Sequence, residues 1–373
     1  MRKHFLLFLL CLATNASLTA QETLRENNGE PTLVERLSNG EIKINSAEMN
    51  FQLFTSANAE FVGNELDGMN FKLNRVRLEI KGDVGKWLGY HYRQSFNKYS
   101  DPYSLDNLPS SLELGDVYKR QGYEYYVNSI RVREFSEFNN LLTAYQAGIS
   151  GNWQVSPDHE LCFQIVNNRN GNDEDIYPTG LPEGTAKAKI PFMYTVNWNS
   201  YYLDKSLQLR YATAVGQQTR KRYSYYFTCG NTYEKGPLLT YLDVMYTRQG
   251  IDQHGVVSRL PGTPHTAMNT EYLSIIGDVD YRVHPQWNVY VKGAYETARV
   301  YKGNGDFRKG MYRRSWNAQS SVEFFPFKQF DLFVFVLYTY RGVILEKAAT
   351  RMGAIEPDTH RISLGLVYSI PVF

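Results

Sequence analysis

The sequence lacks any long hydrophobic run after its N-terminal segment, and cysteine is scarce. A membrane-spanning helix needs about 20 consecutive apolar residues, and no such stretch follows residue 20. The chain has 3 cysteines in 373 residues, and two of them, Cys162 and Cys229, lie beyond that segment. These counts exclude a helical membrane protein and a disulfide-rich scaffold. We expect Cys162 and Cys229 to be free packing residues, and a disulfide between them stays open.

Recognisable catalytic motifs are also missing. The sequence contains no G-x-S-x-G, no H-E-x-x-H and no P-loop. Its 7 histidines are scattered without the spacing of metal ligands. Asp278 and Asp280 would lie about 7 Å apart on one face of a strand, and we interpret them as wall residues. We therefore expect no enzyme, no metal, no cofactor and no nucleic acid partner, although the formal charge of +2 by itself says nothing strong about partners.

The N-terminus has the pattern of a targeting segment. Arg2 and Lys3 precede an apolar run from Phe5 to Ala13, and a short polar stretch ends at Ala20. This arrangement predicts a secretory signal peptide over residues 1–20, with lipoprotein processing at Cys11 as the alternative. Residues 21–45 would then form an N-terminal periplasmic segment, and residues 46–373 the folded body.

Alternation of apolar and polar residues with a period of two is the main signal in the body. With 29 Tyr and 20 Phe, many of these segments are rich in aromatic residues. Segments of about ten alternating residues are typical of outer-membrane barrels. We predict an all-β fold, a transmembrane antiparallel up-and-down β-barrel of about 16 strands, of which fourteen are recognisable: 46–62, 71–81, 87–98, 142–155, 159–167, 191–203, 206–216, 222–229, 237–248, 270–283, 286–300, 311–325, 329–341 and 359–373.

The predicted connections alternate between short turns and long polar loops. Short periplasmic turns and longer extracellular loops are the pattern of these barrels. The predicted turns are Gly82–Lys86, Ser156–Asp158, Asp204–Lys205, Gly230–Gly236, His284–Pro285 and Pro326–Lys328. The predicted loops are Gly63–Asn70, Asn168–Ile190, Gln217–Lys221, Gln249–Asn269, Tyr301–Gly310 and Gly342–Asp358. We also expect Trp87, Trp153, Trp287 and Tyr338, near strand ends, to face lipid at the two membrane interfaces.

The regular alternation of strand-like segments and connections is lost between Ser100 and Asn140. Within that stretch, Asp116–Gln121 can be encoded by the end sequence of a transposase adapter used to prepare sequencing libraries. We hypothesise that residues 114–121 are a sequence artefact or deletion junction, against the alternative of an ordinary polar loop. Resequencing without that adapter tests the hypothesis, and recovery of the same codons would exclude an artefact.

Four segments carry a similarity to a known family: Phe71–Gly82, Asn231–Pro237, Trp287–Glu296 and Gly365–Phe373. They resemble the phosphate-selective porin O/P family, including its Bacteroides-type members. The resemblance implies a barrel of sixteen strands, usually a trimer, with the third extracellular loop folded into the pore. It also implies an outer-membrane location and passive diffusion of small hydrophilic or anionic solutes. Phe373 is the terminal aromatic that the barrel-assembly machinery would recognise.

Basic residues on the polar faces are the candidate anion contacts. Guanidinium and ammonium groups bind anionic oxygens, and rings of them form anion pores. The candidates are Arg75, Arg77, Lys81, Arg93, Arg210, Arg282 and Lys292, together with Arg131 and Arg133 at the place of the family's inward-folded loop. The alternative is a wall of mixed charge, in which these bases pair with Glu79, Asp243, Glu296 and Glu323 and the pore is weakly selective.

Two other classes stay open at this point. An outer-membrane barrel enzyme of the protease or lipase type would need a catalytic set at one rim of the barrel. A secreted soluble β-sandwich that binds glycans would show similar alternation in single strands. Heat-modifiable migration on gels and extraction that depends on detergent would distinguish a barrel from a sandwich.

Overall fold

The alternating segments form one antiparallel sheet of fifteen strands. The computed structural model describes residues 44–84, 88–96, 112–118, 122–124, 134–137, 145–168, 177, 179–186, 188–189, 191–253, 255–260, 263, 265–327 and 331–371. The chain divides into a small unit (Met1–Ser46 with Asp83–Leu88) and a large one (Ala47–Gly82 with Gly89–Phe373). The contacts described below all lie within the large unit.

The strands are long and follow one another along the chain. They are β1 (Ile44–Val62), β2 (Glu65–Val84), β3 (Leu88–Ser95), β4 (Leu112–Tyr118), β5 (Tyr145–Ser156), β6 (His159–Asn167), β7 (Phe192–Tyr202), β8 (Leu207–Thr219), β9 (Arg222–Lys235), β10 (Leu238–Ile251), β11 (Met268–His284), β12 (Trp287–Val300), β13 (Gly310–Phe324), β14 (Asp331–Leu345) and β15 (Thr359–Pro371). A one-turn helix, α1 (Lys347–Thr350), lies between β14 and β15. No helix in the described part of the chain is long and apolar enough to cross a membrane.

The topology is up-and-down, and the first strand pairs with the last. Every strand from β4 to β15 is hydrogen-bonded to its neighbour in sequence, and the edges of the sheet are β3 and β4. β1 pairs antiparallel with β15, so that Phe51 lies opposite Ile370 and Phe61 opposite His360. Because cross-strand partners share a face, this register places the polar residues of both strands on the same side.

The two faces of the sheet have reversed burial compared with a water-soluble protein. In β13, Ser315, Gln319 and Glu323 are buried, whereas Trp316 and Val322 are 51% and 46% exposed. Exposed apolar side chains alternate with buried ones from β6 to β14, although the buried side of β14 includes Phe333, Phe335 and Leu337. We call the two sides of the sheet the polar face and the apolar face. A continuous exposed apolar surface marks contact with lipid or protein rather than water.

Residues packed against the polar face bury it. Tyr123, Met245, Tyr272 and Ile276 belong to one apolar cluster on this side. A second cluster, around Tyr290, Phe325, Phe333, Phe335 and Leu337, lies toward the short β11–β12 and β13–β14 connections. In β15, Gly365 has no room for a side chain, because a Cβ there would lie 2.4 Å from Phe335 Cζ.

The predicted alternation of short and long connections is correct in part. Residues 168–191, 252–267, 301–309 and 346–358 are long connections at one end, which we call the long-loop end. Two predicted loops were wrong. β2 begins at Glu65, so Gly63 and Asn64 form a two-residue turn, and β8 and β9 are joined by Arg220 and Lys221 alone. The predicted turn Gly230–Gly236 was also wrong, since β9 continues to Lys235.

The broken stretch contains a strand that the alternation did not reveal. Leu112–Tyr118 forms β4, and it pairs in regular register with β5 from Gly151 to Tyr145. The strand overlaps the hypothesised junction at residues 114–121, and the hypothesis itself stays untested. Cys162 and Cys229 are both free cysteines in the structure.

Candidate functional site

The candidate site is the polar face together with a chain segment that lies against it. The described parts of this segment are residues 122–124 and 134–137, which we call the inner segment. They follow β4 and contact strands that lie far along the sequence. The site is therefore built from contacts that no local pattern encodes.

Asp243 on β10 holds the first part of the inner segment. Its Oδ2 accepts hydrogen bonds from the backbone N–H groups of Tyr123 at 2.7 Å and Glu124 at 2.6 Å. Gly122, at φ +75°, approaches so closely that a Cβ would lie 2.7 Å from the same oxygen. Gly230, on the neighbouring β9, would place a Cβ 2.9 Å from Gly122 Cα. Two glycines thus allow backbone to dock directly on the wall.

Arg210 on β8 completes this docking point. Its NH1 donates to the Gly122 carbonyl at 3.3 Å, and its guanidinium lies 4.7 Å from the centre of the Tyr123 ring. Burial raises the pKa of the Tyr123 hydroxyl well above its usual range, and the nearby Arg210 opposes the shift. Tyr123 therefore stays neutral and serves as a flat partner for the cation.

A buried ion pair holds the inner segment to β12. Lys292 Nζ lies 2.6 Å from Glu124 Oε1, and the two side chains are 1% and 0% exposed. Lys292 also donates to the Glu134 carbonyl. Ser136 donates to Glu124 through its backbone N–H at 2.5 Å and through its hydroxyl at 2.6 Å. Because a buried charge is costly unless it is paired and hydrogen-bonded, this network fixes both ends of the inner segment together.

The second part of the inner segment docks on β12 and β13. Glu134 N–H donates to Gln319 Oε1 at 3.1 Å, and Gln319 Nε2 donates back to the Glu134 carbonyl at 3.2 Å. Glu137 N–H donates to Glu296 Oε2 at 3.2 Å. This reciprocal pairing uses backbone groups that would otherwise be left unsatisfied.

Three arginines on adjacent strands line the polar face toward the long-loop end. Arg313 on β13 pairs with Glu137 at 2.8 Å and with Glu356 at 3.2 Å. Arg341 on β14 pairs with Glu356 at 2.8 Å, and Arg361 on β15 pairs with Glu134. We call these residues the arginine row.

Sequence reasoning missed the arginine row. Tyr312 and Arg313 are both buried although they are consecutive, because the β12–β13 register shifts between Ala298 and Arg299. A shift of this kind, as in a β-bulge, breaks the alternation that assigns residues to faces. For Arg341 and Arg361 the alternation itself was a usable signal, since they alternate with Tyr340 and Ile362.

The predicted basic residues of β2 lie against β1. Arg75 NH1 donates to Gln52 Oε1 at 3.3 Å, and Lys81 Nζ lies 3.0 Å from Glu48 Oε2. Asn74, the neighbour of Arg75, donates to Ser56 Oγ at 2.8 Å, so consecutive side chains contact one face of β1. Arg77 is half-buried in the same strand.

The other predicted residues are distributed over several places. Arg210 and Lys292 both contact the inner segment, as described. Arg282 on β11 lies 3.8 Å above the ring of Phe325, in the aromatic cluster near the short connections. Arg93 lies in β3 with its side chain outside the described residues, and Arg131, Arg133 and Phe373 are outside them altogether. Asp278 and Asp280 are buried on the polar face.

The described residues show no sign of a metal centre. No group of three or more His, Cys, Asp or Glu side chains that could hold a metal ion occurs among them.

The loops at the long-loop end have their own buried network. Asp252 accepts hydrogen bonds from Ser258 N–H at 2.8 Å, Ser258 Oγ at 2.6 Å, Gly255 N–H at 2.9 Å and the Tyr272 hydroxyl. Burial raises the pKa of the Asp252 carboxyl, and the hydrogen bonds from Ser258 and Tyr272 oppose the shift. The Asp252 carboxylate therefore ties Gly255 and Ser258 of the connection of residues 252–267 to Tyr272 of β11.

A long up-and-down antiparallel sheet with one apolar and one polar face defines a membrane barrel of the porin class. Residues 46–370 match the family described as phosphate-selective porin O and P, and the chain belongs to that family. No curated protein matches the chain.

Solved outer-membrane channels have the same fold. The channel DcaP of Acinetobacter baumannii is 12% identical with a TM-score of 0.61, and the match covers 87% of this chain and 97% of that one. An anion-selective porin from Comamonas acidovorans is 10% identical with a TM-score of 0.58, over 87% and 99%. The trimer form of OmpT of Vibrio cholerae is 10% identical with a TM-score of 0.53, over 87% and 99%.

The chain is an outer-membrane channel. Barrels of this class have an apolar outward side toward lipid and a polar interior, so we call the apolar face the lipid-facing side and the polar face the lumen face. The exposed Trp153, Trp287 and Tyr338 lie on the lipid-facing side, with 57%, 43% and 40% of their surface exposed. Trp87, which was predicted to do the same, lies outside the described residues.

Proposed function

We propose that the channel passes small hydrophilic solutes by diffusion and prefers anions. The observation that carries the preference is that two arginines, Arg341 and Arg361, stay exposed on a lumen face whose wall acids are buried. Asp243, Asp278 and Glu323 are at most 2% exposed. Arg341 and Arg361 keep 38% and 26% of their side-chain surface exposed.

Within the arginine row, Arg341 is more exposed than the two carboxylates with which it pairs. The Arg341 side chain is 38% exposed, whereas Glu356 and Glu137 are 23% and 26% exposed. A guanidinium has five N–H donors, so a pair with one carboxylate leaves donors for a passing anion. Basic side chains at a constriction favour anions even when the chain as a whole is almost neutral.

The predicted anion contacts are part of the same proposal. Arg75, Arg77 and Lys81 would line the lumen, and Arg131 and Arg133 lie in the sequence between the two docked parts of the inner segment. Lys292 is 1% exposed, so we propose that it positions the inner segment instead of contacting solute. The family name and the Comamonas acidovorans relative, described as anion-selective, support the preference.

The test is the zero-current potential in a KCl gradient across a planar bilayer. We expect the native channel to give the sign of chloride preference, and Arg341→Gln/Arg361→Gln to move the potential toward zero or the cation side. Lys205→Gln/Lys235→Gln removes the same charge from exposed positions at the end of the sheet opposite the long-loop end, and it serves as the control. A native potential near zero, unchanged by both pairs, would favour the alternative of a mixed-charge, weakly selective pore.

Assembly and targeting follow from the class of protein. We propose that the chain forms a homotrimer, as the solved trimer form of OmpT does, and that the barrel-assembly machinery recognises Phe373. We propose further that it has no catalytic activity, requires no cofactor and binds no nucleic acid. Light scattering of the detergent-solubilised protein, and assembly of a variant lacking Phe373, test the first two statements.

A further inference from the structure

The lipid-facing side carries a row of charges at its long-loop end. Arg248 on β10 lies opposite Glu271 on β11, which lies opposite Arg299 on β12. Arg314 on β13 lies opposite Thr297, two residues along β12 from Arg299. Because neighbouring strands are about 4.8 Å apart, the three guanidinium groups lie within roughly 20 Å of one another. We call Arg248, Arg299 and Arg314 the outer belt.

The surface changes character along the strands from this belt toward the membrane centre. Next to the belt, the rings of Tyr295 and Trp316 pack with their centres 4.3 Å apart. Beyond them lie exposed aliphatic side chains such as Val291, which is 62% exposed. Aromatic rings settle at the level of lipid headgroups, so the belt lies at or just outside the end of the hydrocarbon layer.

In the outer belt, the paired arginines are more exposed than the carboxylates that they contact. Arg299 pairs with Glu271 at 2.9 Å, and the two side chains are 43% and 15% exposed. Arg314 pairs with Glu346, and these are 44% and 26% exposed. The guanidinium of Arg248 lies 3.9 Å from the centre of the Tyr301 ring. Each arginine is thus held in place by a partner while its outer donors stay accessible.

Charge around the belt differs from charge at the opposite end of the sheet. In the connection of residues 301–309, which follows β12, exposed Lys302, Arg308 and Lys309 stand against one acid, Asp306. At the other end, Asp204 and Lys205 balance in one described turn, and Glu234 and Lys235 balance at the end of β9. Long loops of outer-membrane barrels face the outside of the cell, so the excess of cations meets the outer leaflet.

We propose that the outer belt binds the phosphate groups of an acylated glycolipid headgroup in the outer leaflet. Guanidinium groups bind phosphate oxygens bidentately, and the aromatic and aliphatic residues beside the belt would receive the acyl chains. This inference rests on the outer-membrane location and is independent of the anion preference proposed for the lumen. A soluble phosphate lacks the acyl chains and would not make the second set of contacts.

The experiment measures retained lipid by native mass spectrometry of the full chain purified in detergent. The probes are lipid A with its phosphates and the same lipid A after phosphatase treatment. We expect phosphorylated lipid A to bind the native protein better. We expect Arg299→Gln/Arg314→Gln to weaken that binding roughly tenfold, because two basic groups are lost at an anionic surface. Lys205→Gln/Lys235→Gln, with the same loss of charge, should bind as the native protein does.

A second variant avoids leaving Glu271 and Glu346 without their cations. Arg248→Gln removes a belt cation that stacks on Tyr301, and we expect it to weaken binding several-fold while heat-modifiable migration confirms folding. Equal retention of both lipid probes by the native protein would overturn the proposal. The proposal would also be overturned if folded Arg248→Gln retained as much phosphorylated lipid A as the native protein. If the variants lost trimers instead of lipid, the proposal would fail and the belt would be assigned to contact between subunits.

Discussion

The buried pair of Lys292 and Glu124 is the strongest test of how the inner segment is held. Lys292→Met keeps most of the side-chain volume and removes a cation that is 1% exposed. Glu124 would keep its hydrogen bonds from Ser136, but its carboxylate would remain buried beside an apolar group. Breaking a buried ion pair by removing one partner costs about 3–5 kcal/mol.

That cost has a functional consequence because the pair belongs to the inner segment. Each 1.4 kcal/mol is about tenfold in an equilibrium constant, so the docked state would lose roughly two to four orders of magnitude. We expect larger single-channel conductance or frequent switching between levels in planar bilayers. The strands keep their own hydrogen bonds, so heat-modifiable migration should change little.

The matched control restores neutrality at the same place. In Lys292→Met/Glu124→Gln the buried charge is gone from both sides, and replacing both partners of a buried pair is often close to neutral. We expect this double variant to recover steady conductance near the native level. If Lys292→Met alone shows native conductance and noise, the pair does not hold the inner segment and the reasoning is refuted.

Three further predictions concern the wall, the lipid face and the loops. Gly230→Ala should disturb conductance, because its Cβ would lie 2.8 Å from Asp243 Oδ1. Gly277→Ala should leave conductance unchanged, because a Cβ there has nothing within 4 Å. Equal recordings from the two variants would contradict this prediction. Val291→Arg on the lipid face should lower the stability of the folded barrel by about 2–4 kcal/mol in urea titrations, and Asn317→Arg on the lumen face much less. Burial raises the pKa of the Asp252 carboxyl in the folded protein. This group therefore stabilises the fold most below its ordinary pKa of about 3.9, and the contribution is lost as the pH rises through the raised pKa. Protease resistance of residues 252–267 should therefore fall with rising pH, and Asp252→Asn should remove that dependence; an unchanged pH profile in the variant would exclude Asp252.

The fold was largely predictable because one physical rule governs each strand. A strand between water and lipid must alternate, and the alternation located most strands within a few residues. It failed where other rules act. Gly63–Asn70 has turn-forming residues and was assigned to a loop, but β1 and β2 continue to pair through most of it. β4 is short and follows a stretch without clear alternation, so the pattern could not reveal it.

The site was predictable only as far as the face of each residue. The alternation of apolar and polar residues placed Arg210 and Lys292 on the polar face, and both contact the inner segment. It could not show that Lys292 meets Glu124, which is 168 residues away in the sequence. Nor could it show Arg313, because the register shift beside it places two consecutive residues on one side. Partners across the lumen depend on tertiary packing, which a single sequence does not encode locally.

Chemical modification of single cysteines during current recording tests the central claim most directly. In a chain with Cys162 and Cys229 replaced by Ser, Arg341→Cys places a thiol on the lumen face, and Ser320→Cys places one on the lipid-facing side of β13. A charged, membrane-impermeant thiol reagent should reduce the current through the Arg341→Cys channel in steps and leave the Ser320→Cys channel unchanged. An unchanged current through Arg341→Cys, or equal block of both, would contradict a channel lined by the polar face.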